Sequence, residues 1–133
     1  MISVIHGAEG SGKTKRVIDA ANAACEKATG LVIFIADNDQ SLGVSPNVRY
    51  INLREYDVKS EDEFIGFLKG MLAANFDIQK IFIDGINRLL KLPADELKPI
   101  FDTMAKVSES VDFITTVSAD KLPAYLKAYS VNA

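Results

Sequence analysis

The eight residues Gly7-Ala8-Glu9-Gly10-Ser11-Gly12-Lys13-Thr14 follow the pattern G-x-x-x-x-G-K-[ST], and every fixed position has a chemical reason. Gly7, Gly10 and Gly12 allow left-handed or crowded backbone, so that successive N–H groups turn inward around phosphate oxygens. Lys13 is a point charge for β- and γ-phosphates, and the Thr14 hydroxyl is spaced to ligate Mg²⁺. A helix opening near Gly12 adds the positive end of its dipole to the same place. The competing interpretation is a flexible Gly-Ser turn. Against it stand the strand-like run before the loop and the helical run after it, both in the order that a phosphate cradle needs. Residues 7–14, with Lys15 beside them, are therefore the candidate nucleotide-binding set.

Other side chains are weaker candidates. The run Lys80-Ile81-Phe82-Ile83-Asp84 is apolar and ends in a carboxylate, and Asp37-Asn38-Asp39 follows another apolar run. Acidic residues commonly end strands, and Asp and Asn suit the turns that follow. Ser118 ends the last strand-like run, and Arg88 lies four residues past Asp84, where a surface cation at a helix start is the ordinary expectation. His6 has no carboxylate or Cys in a recognisable motif, so a local structural role is expected. Cys25 is the sole cysteine, which excludes an intrachain disulfide, and its helical context suits a small packed side chain. Tyr50, Tyr56 and Phe76 have the character of base-stacking or interface residues, although core packing is the commoner role.

The elements that must position these groups follow from the apolar pattern. The chain has 133 residues, 48% hydrophobic and 25% charged, enough for one core, and a single domain spanning 1–133 is expected. A net charge of −3 supplies no global field for nucleic-acid phosphates, so nucleic acid is an unlikely partner. No apolar run approaches the roughly 20 residues that cross a bilayer, and no basic segment leads into a signal-type core. No membrane association and a cytoplasmic location are expected. Strands are expected at 2–6, 31–36, 48–53, 80–84 and 112–118, several nearly continuous in apolar and β-branched residues, as in strands buried on both faces. Helices are expected at 13–28, from the Ser60/Glu63 capping box onward, at 94–108 with Pro99 in the first turn or at a kink, and from about 120 with Pro123 in the first turn. Residues 37–47 have room for one helical turn or a surface loop. Strands alternating with helices predict an α/β domain with right-handed crossovers.

Residues 7–14 resemble the Walker A motif of the P-loop NTPases, and residues 80–84 resemble Walker B, whose Asp holds Mg²⁺ through water. The resemblance implies ATP and Mg²⁺ as cofactors, with Thr14 and Asp84 at the metal. It also implies a three-layer α/β/α sandwich around a mainly parallel five-stranded sheet. Within the superfamily the chain is most similar to a reduced RecA-like core, which implies the strand order first, fifth, fourth, second, third. The runner-up is the kinase and GTPase order, with the P-loop and Walker B strands adjacent. RecA-like ATPases orient the attacking water with a Glu after the Walker B Asp or at the end of the second strand. Gly85 occupies the first place, so Asp39 or Asp37 is the candidate at the second, and Ser118 resembles a sensor residue facing the γ-phosphate. No Asn-Lys-x-Asp guanine motif and no Arg-rich lid occurs.

The sequence also resembles small single-domain P-loop proteins sometimes labelled twitching-motility ATPases. That label is borrowed from a longer hexameric two-domain motor with which only Walker A is shared. Three functions follow: a slow Mg²⁺-dependent ATPase, a non-hydrolysing nucleotide-sensing module that regulates a protein partner, and, less favoured, a small-metabolite phosphotransferase. A second copy of the chain or a protein partner is a potential source of an arginine finger.

Overall fold

A computed structural model describes residues 1–39 and 41–131. Five strands, β1 (Ile2–Gly7), β2 (Leu31–Ala36), β3 (Arg49–Asn52), β4 (Ile78–Ile83) and β5 (Asp112–Ser118), form one sheet in the order β1-β5-β4-β2-β3. Every pairing is parallel. This is the order expected of a RecA-like core. Parallel strands need crossover connections, and among the described residues three of the four carry helices, α1 (Lys13–Lys27), α2 (Glu61–Ala74), and α3 (Ile86–Leu90) with α4 (Lys98–Val107), while β2 runs to β3 through a loop.

Period-two alternation decides which side chains meet which helix. Val32, Phe34 and Ala36 of β2 and Phe82 of β4 face the layer that holds Val17 and Ala21 of α1. Ile33 and Ile35 of β2, with Ile81 and Ile83 of β4, face the opposite layer, where Phe64 and Leu68 of α2 and Ile100, Phe101 and Met104 of α4 are buried. The two faces of β2 thus enter two apolar clusters, which is why its sequence reads as an unbroken apolar run. At the start of α2 the Ser60 hydroxyl accepts from the Glu63 N–H at 3.1 Å and the Glu63 carboxylate accepts from the Ser60 N–H at 3.1 Å, the reciprocal box expected from their spacing.

Two local expectations are corrected, and an alternative left open at 37–47 is resolved. The helix expected at 94–108 is split into a 3₁₀ turn, Ala94–Glu96, and α4, which starts at Lys98 with Pro99 in its first turn. The helix expected from about 120 is a 3₁₀ turn, Ala124–Tyr129, with Pro123 as its N-cap. The chain must double back at once to β1, where the Val131 N–H donates to the Val4 carbonyl at 3.0 Å, and this leaves no length for α-helical turns. Residues 37–47, apart from Gln40, which lies outside the described residues, form turns and not a helix. Asn22 of α1 ties this loop down: its amide donates to the Gly43 carbonyl and accepts from the Ser45 N–H, both at 2.8 Å.

Candidate functional site

The loop of residues 7–12 leaves β1 at the carboxyl end of the sheet and turns into α1. Gly10 and Gly12 have φ of 79° and 88°, a region that L side chains rarely enter, and Gly12 is the N-cap of α1. A Cβ on Gly7 would stand 2.6 Å from the Ser11 hydroxyl oxygen, so a larger residue would require that hydroxyl to turn away. The Lys13 ammonium folds back over the loop and donates to the Ala8 carbonyl at 2.8 Å. Glu9 crosses to β5, where its carboxylate accepts from the Ser118 hydroxyl at 3.0 Å. Lys15 points elsewhere: its ammonium pairs with Asp19 at 2.8 Å on the exposed side of α1.

Asp84 closes the floor. The register Ile35↔Ile83 puts it just beyond the end of β4, where its own N–H donates to the Ile35 carbonyl at 2.9 Å. Its side chain is buried, with the residue only 5% exposed. Both partners of the carboxylate are neutral hydroxyls: Thr14 donates to Oδ2 at 3.1 Å, and Thr116 of β5 donates to Oδ1 at 2.9 Å. The Thr116 oxygen in turn accepts from the Gly85 N–H at 2.8 Å, fixing the backbone where the chain leaves β4. Glu9, Gly12, Lys13, Thr14, Asp84 and Ser118 line one cavity of about 330 Å³. Most of the sequence candidates therefore converge on a single hollow at the carboxyl ends of β1, β5 and β4.

Asp37 does not open into that hollow. It follows β2, next to the end of β4, and its buried carboxylate is held by Arg88 of α3, with Nε at 2.6 Å from Oδ2 and Nη2 at 3.1 Å from Oδ1. Burial alone would raise its pKa. The hydrogen bond and charge of Arg88, with help from the Asn38 amide, outweigh that and hold it below the ordinary 3.8. The same hydrogen bond pushes the Arg88 pKa up. Gly85, at φ 78°, leaves room for the pairing, since a Cβ there would crowd the Arg88 guanidinium where it meets Asp37. Asp39, the other candidate for orienting water, lies two residues farther along and is exposed.

Two groups escaped the sequence reading. Thr116 shares a strand face with Ser118 but lies inside β5, without the terminal position that marks Ser118 in the sequence. Arg88 was expected to be a surface cation and is instead the partner of a buried carboxylate. Asn87 of α3 adds a third tie, its side-chain oxygen accepting from the Ser118 N–H at 2.8 Å. The aromatics divide by environment. Tyr50 stacks on Phe34 at 5.7 Å and donates to Asn38, and burial with the nearby carboxylates of Asp84, Asp37 and Asp39 raises its pKa. Tyr56 meets Phe67, and Phe76 is 99% exposed.

No family model matches this sequence, and no curated protein does. Among solved structures, the chain is similar to the flagellar accessory protein FlaH from Methanocaldococcus jannaschii, with a TM-score of 0.56 over 96% of this chain at 18% identity. The fold is RecA-like. The chain spans 65% of the length of FlaH, and at this identity the likeness extends to the fold alone. Among the described residues no helix is long and apolar enough to cross a membrane.

Proposed function

We propose that the chain binds ATP with Mg²⁺ in the cavity formed by residues 7–14, Asp84 and Ser118, and hydrolyses it slowly. The observation that carries this reading is the meeting of the Thr14 hydroxyl with a buried carboxylate, Asp84, that has no cationic partner within ion-pair distance among the described residues. Such a donor set fits a hard cation that keeps much of its water and takes its other ligands from phosphates. No group of three or more His, Cys, Asp or Glu side chains suited to an all-protein metal cage occurs among the described residues. Bound there, Mg²⁺ would supply charge neutralisation for the phosphate oxygens.

The chain's own contribution is position and charge. The loop N–H groups and the start of α1 receive phosphate oxygens, and Lys13 exchanges the Ala8 carbonyl for phosphate. Ser118 stands across the cavity on the neighbouring strand, where a hydroxyl can contact the terminal phosphate. The carboxylate left to orient water is Asp39, which is exposed and lies outside the residues lining the cavity, so it would have to move toward the phosphates. Asp37 would serve only after parting from Arg88.

That ion pair favours a second reading, a nucleotide sensor that regulates a protein partner and turns over negligibly. The two readings part on one experiment. Thermal unfolding with MgATP, MgGTP or no ligand, with phosphate release read in the same samples, should show stabilisation of about 2.7 kcal/mol at a nucleotide concentration of 100 times the dissociation constant. Lys13→Ala should abolish the shift, and an unchanged affinity in that variant would sink both readings. Phosphate release that falls in Asp39→Ala without loss of affinity supports the ATPase. Binding without release supports the sensor.

A further inference from the structure

Beyond the nucleotide cavity, on the far side of Arg88, lies a second hollow of about 370 Å³ at the carboxyl ends of β2, β3 and β4. Open α/β sheets take ligands at this edge. Its floor is apolar, made by the fully buried Leu53 with Val58 and Leu89. Its rim carries four cations, Arg54, Lys59, Arg88 and Lys91, against two carboxylates, Asp37 and Asp57, in a chain whose net charge is −3. The carboxylates are already used. Asp37 is 2.6 Å from Arg88, and Asp57 is 3.0 Å from Lys59. Arg54 reaches Asp37 only at 4.0 Å, with its side chain 74% exposed, and Lys91 has no carboxylate within ion-pair distance among the described residues.

A weakly paired Arg54 and an unpaired Lys91 above an apolar floor define a ligand. We propose that this hollow is a second binding site, for a small organic anion whose carboxylate or phosphate meets Arg54 and Lys91 while its apolar body rests on Leu53, Val58 and Leu89. An anion here is attracted by the excess positive charge. A neutral apolar molecule leaves Lys91 unpaired and Arg54 with only its 4.0 Å contact to Asp37, and inorganic phosphate leaves the floor uncovered. Arg88 lines both hollows, so an occupant of this one sits one side chain away from the nucleotide cavity. The proposal goes beyond the nucleotide reading and stands whether or not residues 7–14 hold ATP.

The test uses phenyl phosphate as probe, benzyl alcohol and inorganic phosphate as controls, and amide chemical-shift titration of the whole chain, its Lys13→Ala variant and an Arg54→Gln/Lys91→Gln variant. The expected result is saturable shifts at the amides of Leu53, Val58, Leu89 and Lys91. They should persist in Lys13→Ala and be weaker in the double variant by roughly tenfold or more, the loss of at least one charge-assisted hydrogen bond. Both altered side chains are exposed, and the remaining amide spectrum reports whether the fold is kept. Shifts confined to residues 7–14 that vanish in Lys13→Ala would overturn the proposal, because the probe would then occupy only the phosphate loop. Equal binding of benzyl alcohol or inorganic phosphate, unchanged affinity in the double variant, or no shift with millimolar phenyl phosphate would also overturn it.

Discussion

Asp84 and Asp37 stand at the ends of neighbouring strands, and both are buried, at 5% and 4% exposure, yet the chain treats them differently. Asp37 is matched by a guanidinium from its own chain, which lowers its pKa and removes it from other chemistry. Asp84 is held by two hydroxyls that orient it and carry no charge. Burying a carboxylate costs free energy unless a cation or strong hydrogen bonds offset it. One carboxylate is therefore paired directly with a cation of the chain, while the other is held by hydroxyls and feels Arg88 only through space. Position at a strand end does not make an acidic residue functional.

The comparison breaks most visibly at Arg88. Arg88→Leu leaves Asp37 buried with only the distant Arg54 and should lower stability at neutral pH by about 2–3 kcal/mol, the upper part of the cost of leaving a buried group without its hydrogen-bond partner. It should also raise the Asp37 pKa, because the hydrogen bond and charge of Arg88 no longer oppose burial. Chemical denaturation and carboxyl-carbon NMR titration read the two effects. A loss below half a kilocalorie would mean that the pair is no more than a surface contact.

Asp84→Asn should do the reverse. Without a buried charge to satisfy, the nucleotide-free variant should unfold at the same temperature as the parent or higher, while its affinity for MgATP falls roughly 10- to 100-fold, as when groups that organise a metal site are altered. Calorimetric titration beside thermal unfolding separates the two quantities. A variant that is destabilised without losing MgATP affinity would make Asp84 a structural carboxylate like Asp37.

Asp37→Asn is milder, since Arg88 is 46% exposed at its side chain and can turn to water. A loss of about 1 kcal/mol is expected near pH 7. Its pH dependence has a definite sign. Because the folded-state pKa lies below 3.8, the unfolded chain binds more protons in that window, so this contribution is full above 3.8 and is lost as pH falls through the folded value. The acid limb of the parent's stability curve should be shallower in Asp37→Asn, and identical limbs would remove the carboxylate from the account.

These contrasts also show what the sequence made legible. Strands buried on both faces, the capping box at Ser60 and Glu63, and the glycine loop are local patterns, readable within a dozen residues, and resemblance supplied the strand order. The Asp37–Arg88 pair joins residues 51 positions apart through a helix, α3, of five residues. Such a helix is shorter than two turns and shows no periodicity to read. It is entered and left through left-handed Gly85 and Lys91, and only the first of these is marked by a glycine. The closing 3₁₀ turn is set by the return to β1, a long-range constraint invisible in its own six residues.

Thr116 gives the finest test, because it serves Asp84 and the backbone at once. Its hydroxyl donates to the carboxylate and accepts from the Gly85 N–H, and at 1% exposure no water replaces it. Thr116→Val keeps the shape and deletes both bonds, so stability should fall by about 1–2 kcal/mol, the cost of leaving buried polar groups unpaired. A purely structural hydroxyl would stop there. If Thr116 also aims Asp84 at the metal, affinity for ATP with Mg²⁺ should drop several-fold while affinity for ATP in excess chelator stays unchanged, and Thr116→Ser should restore the Mg²⁺-dependent part. Equal losses with and without Mg²⁺ would assign Thr116 to the fold alone and leave Thr14 as the one hydroxyl that orients Asp84 for the cation.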